Sequence, residues 1–206
     1  MASLFPIFLK LEGRRVLLVG AGHIAEQKLQ GLLDAGAKVV VIAEIAGATF
    51  TKLAKQQRIE LHLRAFRPGD VKNAALVIAA TGDAVINQNI YDAASANNIL
   101  CNAVDEPSRC DFYYPAVVRR GDLQIAISTN GKSPALAQRI RAELEARFGE
   151  EYSEWLAWLG SVREVLFRHA IEPERRRQVL HQIASQQGYD GFQLFHSEHQ
   201  KEAIHG

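Results

Sequence analysis

The sequence is poor in cysteine, nearly neutral and free of long apolar runs. Its two cysteines, Cys101 and Cys110, are too few for a disulfide framework and lack the CxxC spacing of a zinc site. The formal net charge of +1 argues against general nucleic acid binding, which requires an excess of basic side chains. No apolar run approaches the roughly 20 residues of a membrane helix, and the first residues do not resemble a signal peptide. We therefore expect a cytoplasmic protein with no nucleic acid or membrane partner and no resident metal.

Short apolar runs alternate with helical patterns over the first hundred residues. The runs predicted to form strands are 15–19, 38–42, 59–63, 76–80 and 99–104. Residues 23–35 carry apolar side chains at helical spacing, and Asp83 is placed to cap a second helix. Because strands that are apolar throughout must be covered on both faces, we predict an α/β fold with a Rossmann-type parallel sheet. Right-handed crossovers then place the carboxyl end of every strand along one edge, where ligands bind.

The pattern changes after Pro107. Residues 116–119 and 123–127 flank a short turn and predict a small β-hairpin, and a helix is predicted to begin at Pro134. From Glu151 onward the chain is predicted to be helical, with one break near Pro173. We predict three parts, which are a Rossmann domain over 1–113, a hairpin-and-helix region over 114–148 and a helical C-terminal domain over 149–206.

A G-x-G-x-x-A motif runs from Gly20 to Ala25, directly after the first predicted strand and at the start of the first helix. Gly20 permits the tight turn, and Gly22 lets a pyrophosphate approach the backbone and the first helical amides. We predict a dinucleotide site in which His23 and Ile24 take part through the backbone. Thr81 and Gly82 follow the fourth strand at the same edge and are predicted to cover the dinucleotide.

A carboxylate, Glu44, ends the second predicted strand 22 positions after Gly22. It can accept hydrogen bonds from the adenosine ribose, with Ile45 beside it, or it can be a solvated loop residue. No Lys or Arg lies between Glu44 and Lys52 to hold a 2′-phosphate, so the sequence favours NAD over NADP.

Two further segments carry candidate chemistry. Asp105 ends the fifth predicted strand, and it can either take a proton beside a nicotinamide or cap the turn before Pro107. The segment 128–134 has the elements of an anion-binding turn at a helix start, which can equally be a plain helix cap at Ser133. Its candidate anion-binding residues are Ser128, Asn130, Lys132 and Ser133.

Together these motifs resemble the precorrin-2 dehydrogenase family, which includes the amino-terminal part of sirohaem synthases and bifunctional dehydrogenase–ferrochelatases. The matching segments are 5–8, 19–28, 79–81, 87–88, 101–105 and 128–134. The resemblance implies NAD-dependent dehydrogenation of precorrin-2 to sirohydrochlorin, followed in many members by insertion of ferrous iron. It also implies that Asp105 is catalytic, that the turn of Ser128, Asn130, Lys132 and Ser133 lies on the substrate side and that the protein is a homodimer through roughly residues 114–148. Because the implied substrate carries many carboxylates, further cationic candidates are Arg109, Arg119, Arg120 and Arg139, with Arg120 the least favoured.

An alternative interpretation is an NAD-sensing regulatory or binding module built on the same Rossmann domain. Such a module would not need a carboxylate beside the nicotinamide. It would also be expected to carry a segment that reads DNA or contacts a membrane partner, and none is found in the sequence. The histidines His196, His199 and His205 lie in a polar tail, where solvated side chains are favoured over metal ligands.

Overall fold

The computed structural model describes residues 4–104, 106–169 and 171–205. These residues divide into two compact units, of which the first covers Leu4–Tyr114 and the second begins at Pro115. The three-part division drawn from the sequence stays a prediction.

The first unit is built on a five-stranded parallel sheet with the strand order β3-β2-β1-β4-β5. The strands are β1 Arg15–Val19, β2 Lys38–Ala43, β3 Glu60–Leu63, β4 Leu76–Ala79 and β5 Cys101–Ala103. The helices are α1 His23–Asp34, α2 Ala48–Lys55 and α3 Ala84–Ala96. The strand order reverses at β1, whose neighbours are β2 and β4, so a ligand crevice is expected at their carboxyl ends. The predicted Rossmann-type fold is confirmed.

Both faces of this sheet are buried, as its continuously apolar strands require. On one face Val16, Leu18 and Val41 pack against the helical residues Leu29 and Phe50. On the other face alternate residues of the same strands pack against α3, with Ile90 and Ala94 fully buried. The central strands are therefore held on both sides, which gives the residues that follow their carboxyl ends a rigid base.

Some boundaries differ from the sequence-based predictions. The fifth strand is three residues long, because the hydrogen-bonded ladder with β4 extends only over Cys101–Ala103. The helix Ala48–Lys55 was not predicted, because its eight residues give too short a periodic pattern. Its single fully buried side chain, Phe50, anchors it to the sheet.

The second unit contains an antiparallel hairpin and four helices. The hairpin strands are β6 Ala116–Arg120 and β7 Leu123–Ile127, as predicted, and Gly121 between them has a positive φ of 56°. The helices are α4 Pro134–Arg147, α5 Glu151–Arg168, α6 Pro173–Ile183 and α7 Gln186–His205. The predicted break near Pro173 is confirmed, and a second break separates α6 from α7. Among the described residues, no helix is long and apolar enough to cross a membrane.

Candidate functional site

The turn after β1 requires glycine at its first position. Gly20 has a φ of +107°, and its backbone N–H donates a hydrogen bond of 2.8 Å to the carbonyl of Ile42. A β-carbon at Gly20 would lie 2.1 Å from the carbonyl oxygen of Ala80, well inside van der Waals contact. The glycine therefore lets β1 turn sharply while the chain that leaves β4 passes against it.

The helix that follows, α1, begins without a side-chain cap. Its N-cap residue is Gly22, which has no side chain to accept a hydrogen bond from the first-turn amides. Asp83 caps α3 and Ser133 caps α4, whereas α2, α5 and α6 also begin without a side-chain cap. Apart from its two chain neighbours, a β-carbon at Gly22 would meet no atom of the described residues within 4 Å, so the space in front of this helix end is open. An uncapped helix N-terminus beside open space fits an anionic group such as a pyrophosphate.

A cleft of about 620 Å³ opens at this helix end, along the carboxyl edge of the sheet. Its size is within the range of ligand pockets, roughly 300 to 1,000 Å³. All eight residues predicted to bind the cofactor line it, namely Gly20, Gly22, His23, Ile24, Glu44, Ile45, Thr81 and Gly82. The side chain of Ile45 is 87% exposed and offers an apolar surface of the kind that an adenine ring covers. The lining therefore fits a dinucleotide, with backbone amides for phosphate and a carboxylate for ribose.

The histidine of the glycine turn is occupied within its own helix. His23 Nε2 lies 3.0 Å from the side-chain nitrogen of Gln27, one turn further along α1. That His23 contributes to the cofactor site through its backbone stays a prediction.

The loop after β4 is held by a buried amide. Thr81 donates a hydrogen bond of 2.7 Å from its hydroxyl to Oδ1 of Asn87, which is only 5% exposed. Asp83 accepts hydrogen bonds from the backbone N–H groups of Val85 and Ile86, so its predicted role as a helix cap is confirmed. The loop after β4, which lines the cleft, is thus anchored from inside the first unit.

Nine of the residues that line the cleft were not among those predicted to bind the cofactor. Five of them belong to the glycine motif or to the ends of β1, β2 and β4, and the other four are Arg64, Ala65, Phe66 and Ile86. The first three follow β3, the edge strand next to β2, and only the sheet order brings them beside Glu44. In the sequence the first lysine or arginine after Glu44 is Lys52, whereas Arg64 is 20 positions away, so proximity in sequence does not indicate Arg64.

Asp105, the predicted catalytic carboxylate, lies outside the described residues. The segment that follows it returns to β5. The backbone N–H of Cys101 donates to Asp111 Oδ2 at 2.8 Å, and Asn102 Nδ2 donates to the carbonyl of Phe112 at 2.8 Å. Burial raises the pKa of the Cys101 thiol to about 12, so this cysteine is an inert part of the core.

The second candidate turn, in the second unit, is ordered by its own hydrogen bonds. The Ser128 hydroxyl accepts from the N–H of Asn130, and the Thr129 hydroxyl both accepts from the N–H of Ser133 and donates to its carbonyl. Ser133 also caps α4 through the N–H of Leu136. The helix-cap interpretation is therefore correct for Ser133, and this uses one of the amides that an anion could have bound.

Arg120 is a structural residue. Its guanidinium donates to the carbonyls of Phe148, Glu145 and Arg119 at 2.8, 3.1 and 2.7 Å. With its side chain 13% exposed, it closes the carboxyl end of α4 and is the cationic candidate least available to a substrate. No cluster of three or more potential metal ligands occurs within the described parts of the chain.

The comparisons with known proteins agree with this geometry. A model described as putative NAD(P)-binding matches residues 7–116. The chain belongs to this NAD(P)-binding family. A second model, described as sirohaem biosynthesis protein central, matches residues 120–147, which include the hairpin turn and α4. The resemblance to the precorrin-2 dehydrogenase family, stated above from the sequence motifs, is therefore confirmed.

Similar proteins include sirohaem synthases from several bacteria. The chain is 40% identical over 173 residues to siroheme synthase 3 of Aeromonas hydrophila and 39% identical over 172 residues to a siroheme synthase of Methylococcus capsulatus. These alignments cover 84% of this chain but only 37% and 36% of the relatives, so the chain spans less than half of their length. Among solved structures, SirC, a precorrin-2 dehydrogenase, is 28% identical with a TM-score of 0.79, over 89% of this chain and 91% of SirC.

Proposed function

We propose that this chain is an NAD-dependent precorrin-2 dehydrogenase that forms sirohydrochlorin for sirohaem biosynthesis. The observation that carries the proposal is the uncapped glycine turn of α1, which opens onto a cleft that Glu44 also lines. The likeness to SirC supports the reaction, because it extends over nearly the whole of both chains. The match of residues 120–147 to a sirohaem biosynthesis model supports the same pathway independently of the cofactor domain.

The cofactor residues then have distinct tasks. Gly22 and the first-turn amides of α1 bind the pyrophosphate, and Glu44 accepts hydrogen bonds from the adenosine ribose hydroxyls. Ile45 covers the adenine ring, and the loop of Thr81 and Gly82 covers the dinucleotide from the side of β4. Bound in this way, NAD supplies the acceptor for the hydride that precorrin-2 loses.

Asp105 is assigned the proton transfer. Removal of a hydride from a carbon of precorrin-2 leaves a cation, and loss of a proton from that cation restores a neutral conjugated system. A carboxylate after β5 can accept this proton and release it to water, so the balanced products are sirohydrochlorin, NADH and a proton. The assignment rests on the match of Cys101–Asp105 to the family motif and on the position of Asp105 in sequence directly after β5 and Val104.

Ser128, Asn130, Lys132 and Ser133 are proposed to bind the substrate, whose many carboxylates suit a turn with hydroxyl groups and a cation. The internal hydrogen bonds of this turn support the proposal, because they hold the loop in one conformation before any ligand binds. Asn130 and Gly131 both have positive φ values, 53° and 74°, which produce the sharp bend.

Further parts of the proposal follow from the resemblance. We propose that the enzyme is a homodimer and that it works in the cytoplasm, where its two free thiols stay reduced. Insertion of ferrous iron into sirohydrochlorin, as a substrate metal, is proposed as a second activity of the same chain.

The test is an anaerobic assay with enzymatically prepared precorrin-2 and NAD, in which NADH and the tetrapyrrole spectrum are followed together. We expect one NADH for each sirohydrochlorin formed. Gly22→Asp serves as the control, because its carboxylate would occupy the pyrophosphate position and abolish turnover. Ferrous or cobaltous ion is then added separately to record metal insertion. Binding of NADH without any turnover of precorrin-2 would contradict the dehydrogenase and favour a regulatory module.

A further inference from the structure

Arg64 stands beside Glu44 at the edge of the sheet. In the parallel ladder of β2 and β3, Ala43 is opposite Leu63, so Glu44 and Arg64 are the next residues on the two strands. The N–H of Arg64 donates to the carbonyl of Ala43 at 2.9 Å, which continues the ladder by one hydrogen bond. Both residues line the cleft. A cation therefore lies next to the carboxylate proposed to hold the adenosine ribose.

The Arg64 guanidinium is already paired with a carboxylate of the same chain, Asp70. Arg64 Nη1 and Nη2 donate to the two oxygens of Asp70, each at 2.8 Å, and Nη1 also donates to the carbonyl of Ala65 at 3.0 Å. The carboxylate is fixed in turn, because Asp70 Oδ2 accepts the backbone N–H of Arg67 at 2.8 Å. The Asp70 side chain is 14% exposed, and the hydrogen bonds from Arg64 lower the pKa of its carboxyl. Arg64 and Asp70 therefore form a bidentate ion pair in which each side chain has a further hydrogen bond to the backbone.

The pair decides the charge at this end of the cleft. Among the described residues that line the cleft, Arg64 is the only lysine or arginine, and Asp70 neutralises it. The Glu44 carboxylate beside it is exposed to solvent. A ribose with two hydroxyls meets a hydrogen-bond acceptor there, whereas a 2′-phosphate meets an uncompensated negative charge. Dinucleotide domains that accept a 2′-phosphate hold it with an arginine near the adenosine ribose.

We propose that Arg64 and Asp70 form a masked 2′-phosphate site that sets the choice of cofactor. Because the Arg64 guanidinium is paired with Asp70, it cannot pair with a 2′-phosphate, so the cleft binds NAD and rejects NADP. Removal of the Asp70 charge frees Arg64 to pair with a 2′-phosphate. The inference rests on the proposed function, since it requires a dinucleotide with its adenosine ribose between Glu44 and Arg64.

The direct test is titration of the full chain with NADH and NADPH, followed by their fluorescence. Asp70→Asn keeps an oxygen for the Arg67 amide but presents a neutral group to Arg64. We expect the Kd for NADPH to fall about tenfold, the gain of one charge-assisted hydrogen bond, and the Kd for NADH to change by less than about twofold. Asp70→Ser is the second variant, because its hydroxyl can also accept the Arg67 N–H if the asparagine variant does not fold.

Two further variants test whether a gain in NADPH affinity depends on Arg64 or only on the change in net charge. Glu60→Gln changes the net charge equally, but Glu60 lies at the opposite end of β3 and is exposed, so NADPH affinity should stay at the wild-type value. In the double variant Arg64→Gln with Asp70→Asn, the gain in NADPH affinity should disappear. A gain that persists without Arg64, or that also occurs in Glu60→Gln, would overturn the inference.

The outcome also separates this inference from the proposed function. If the wild type binds NADH but neither Asp70 variant gains affinity for NADPH, the masked site is wrong and the dinucleotide cleft stands. If no form of the chain binds either dinucleotide, the cofactor site itself is wrong and the mask is overturned with it.

Discussion

The Thr81 hydroxyl donates a hydrogen bond of 2.7 Å to the side-chain oxygen of Asn87, six residues further along the chain. Thr81 lies in the cleft, whereas Asn87 is a buried residue in the first turn of α3. The same oxygen also accepts the backbone N–H of Thr81, at a longer distance of 3.4 Å. One buried amide therefore sets the position of both the backbone and the side chain of a cleft residue.

Replacement of this amide should affect both stability and cofactor binding. Asn87→Leu leaves the Thr81 hydroxyl without its buried acceptor, so we expect the free energy of unfolding to fall by about 1–3 kcal/mol. NADH affinity should fall as the loop loses its anchor. Urea unfolding and NADH titration measure the two effects. Asn89→Leu, the same change at an exposed position of α3, is the control and should alter neither.

The two glycines of the turn should respond differently to the same substitution. Gly20→Ala places a β-carbon against the Ala80 carbonyl at a φ of +107°, so we expect destabilisation by about 2 kcal/mol or more. Gly22→Ala adds its methyl group to open space and should change stability by less than about 1 kcal/mol while it weakens NADH binding. Thermal melts and NADH titrations of the two variants test this contrast. Wild-type NADH affinity in Gly22→Ala would show that the pyrophosphate does not bind at this turn.

Asp105→Asn should separate chemistry from cofactor binding. An amide cannot accept the proton, so we expect turnover of precorrin-2 to fall by about 100-fold or more, with NADH affinity nearly unchanged. Single-turnover kinetics and NADH titration are the measurements. Asp92→Asn, on the exposed side of α3, is the control for loss of one carboxylate. Full activity of the Asp105→Asn variant would show that Asp105 is not the proton acceptor.

Arg120 should matter for stability. Arg120→Met keeps the aliphatic part but removes the donors to three backbone carbonyls, so we expect the free energy of unfolding to fall by about 1–3 kcal/mol. The matched control is Arg119→Met, because Arg119 is the exposed neighbour on the same strand. Chemical denaturation of both variants checks the prediction, and equal losses would show that the three hydrogen bonds contribute nothing specific.

Tyr189→Phe should reveal a pH-dependent contact between α5 and α7. The Tyr189 hydroxyl donates to Glu151 Oε1 at 2.9 Å. Burial, assisted by Glu151, raises the pKa of Tyr189 to about 12, while the backbone N–H of Glu151 and then the Tyr189 hydroxyl lower the pKa of Glu151. The contact therefore contributes its full stabilisation between pH 4.5 and pH 10.0, which are the unfolded-state pKa values of the carboxyl and of the phenol.

The stability difference between wild type and Tyr189→Phe should follow these pKa shifts. At neutral pH we expect about 0.5–1 kcal/mol, since the pair is only partly buried. The difference should shrink as the pH falls through the folded-state pKa of Glu151, and again as it rises toward the folded-state pKa of Tyr189. Urea midpoints at acidic, neutral and alkaline pH measure it. A difference that is constant with pH would assign the effect to packing alone.

The sequence by itself determined the parallel sheet, the hairpin and the dinucleotide turn. Each depends on residues that are close in the chain, such as the apolar runs of β1 and β2 or the glycines that flank Ala21, so local spacing carries the information. The same holds for the helix caps at Asp83 and Ser133, where the accepting oxygen and the donating amide are two or three residues apart.

Only the tertiary structure decided what surrounds the cofactor carboxylate. Arg64 lies 20 positions after Glu44, and it comes beside Glu44 because β3 pairs with β2 at the sheet edge. Its pairing with Asp70 could not be read from the sequence, because a charge pattern does not tell which partner a guanidinium takes. Whether a cation faces a ligand or a neighbouring carboxylate depends on side-chain direction and burial, and these are fixed only when the sheet and its loops have packed.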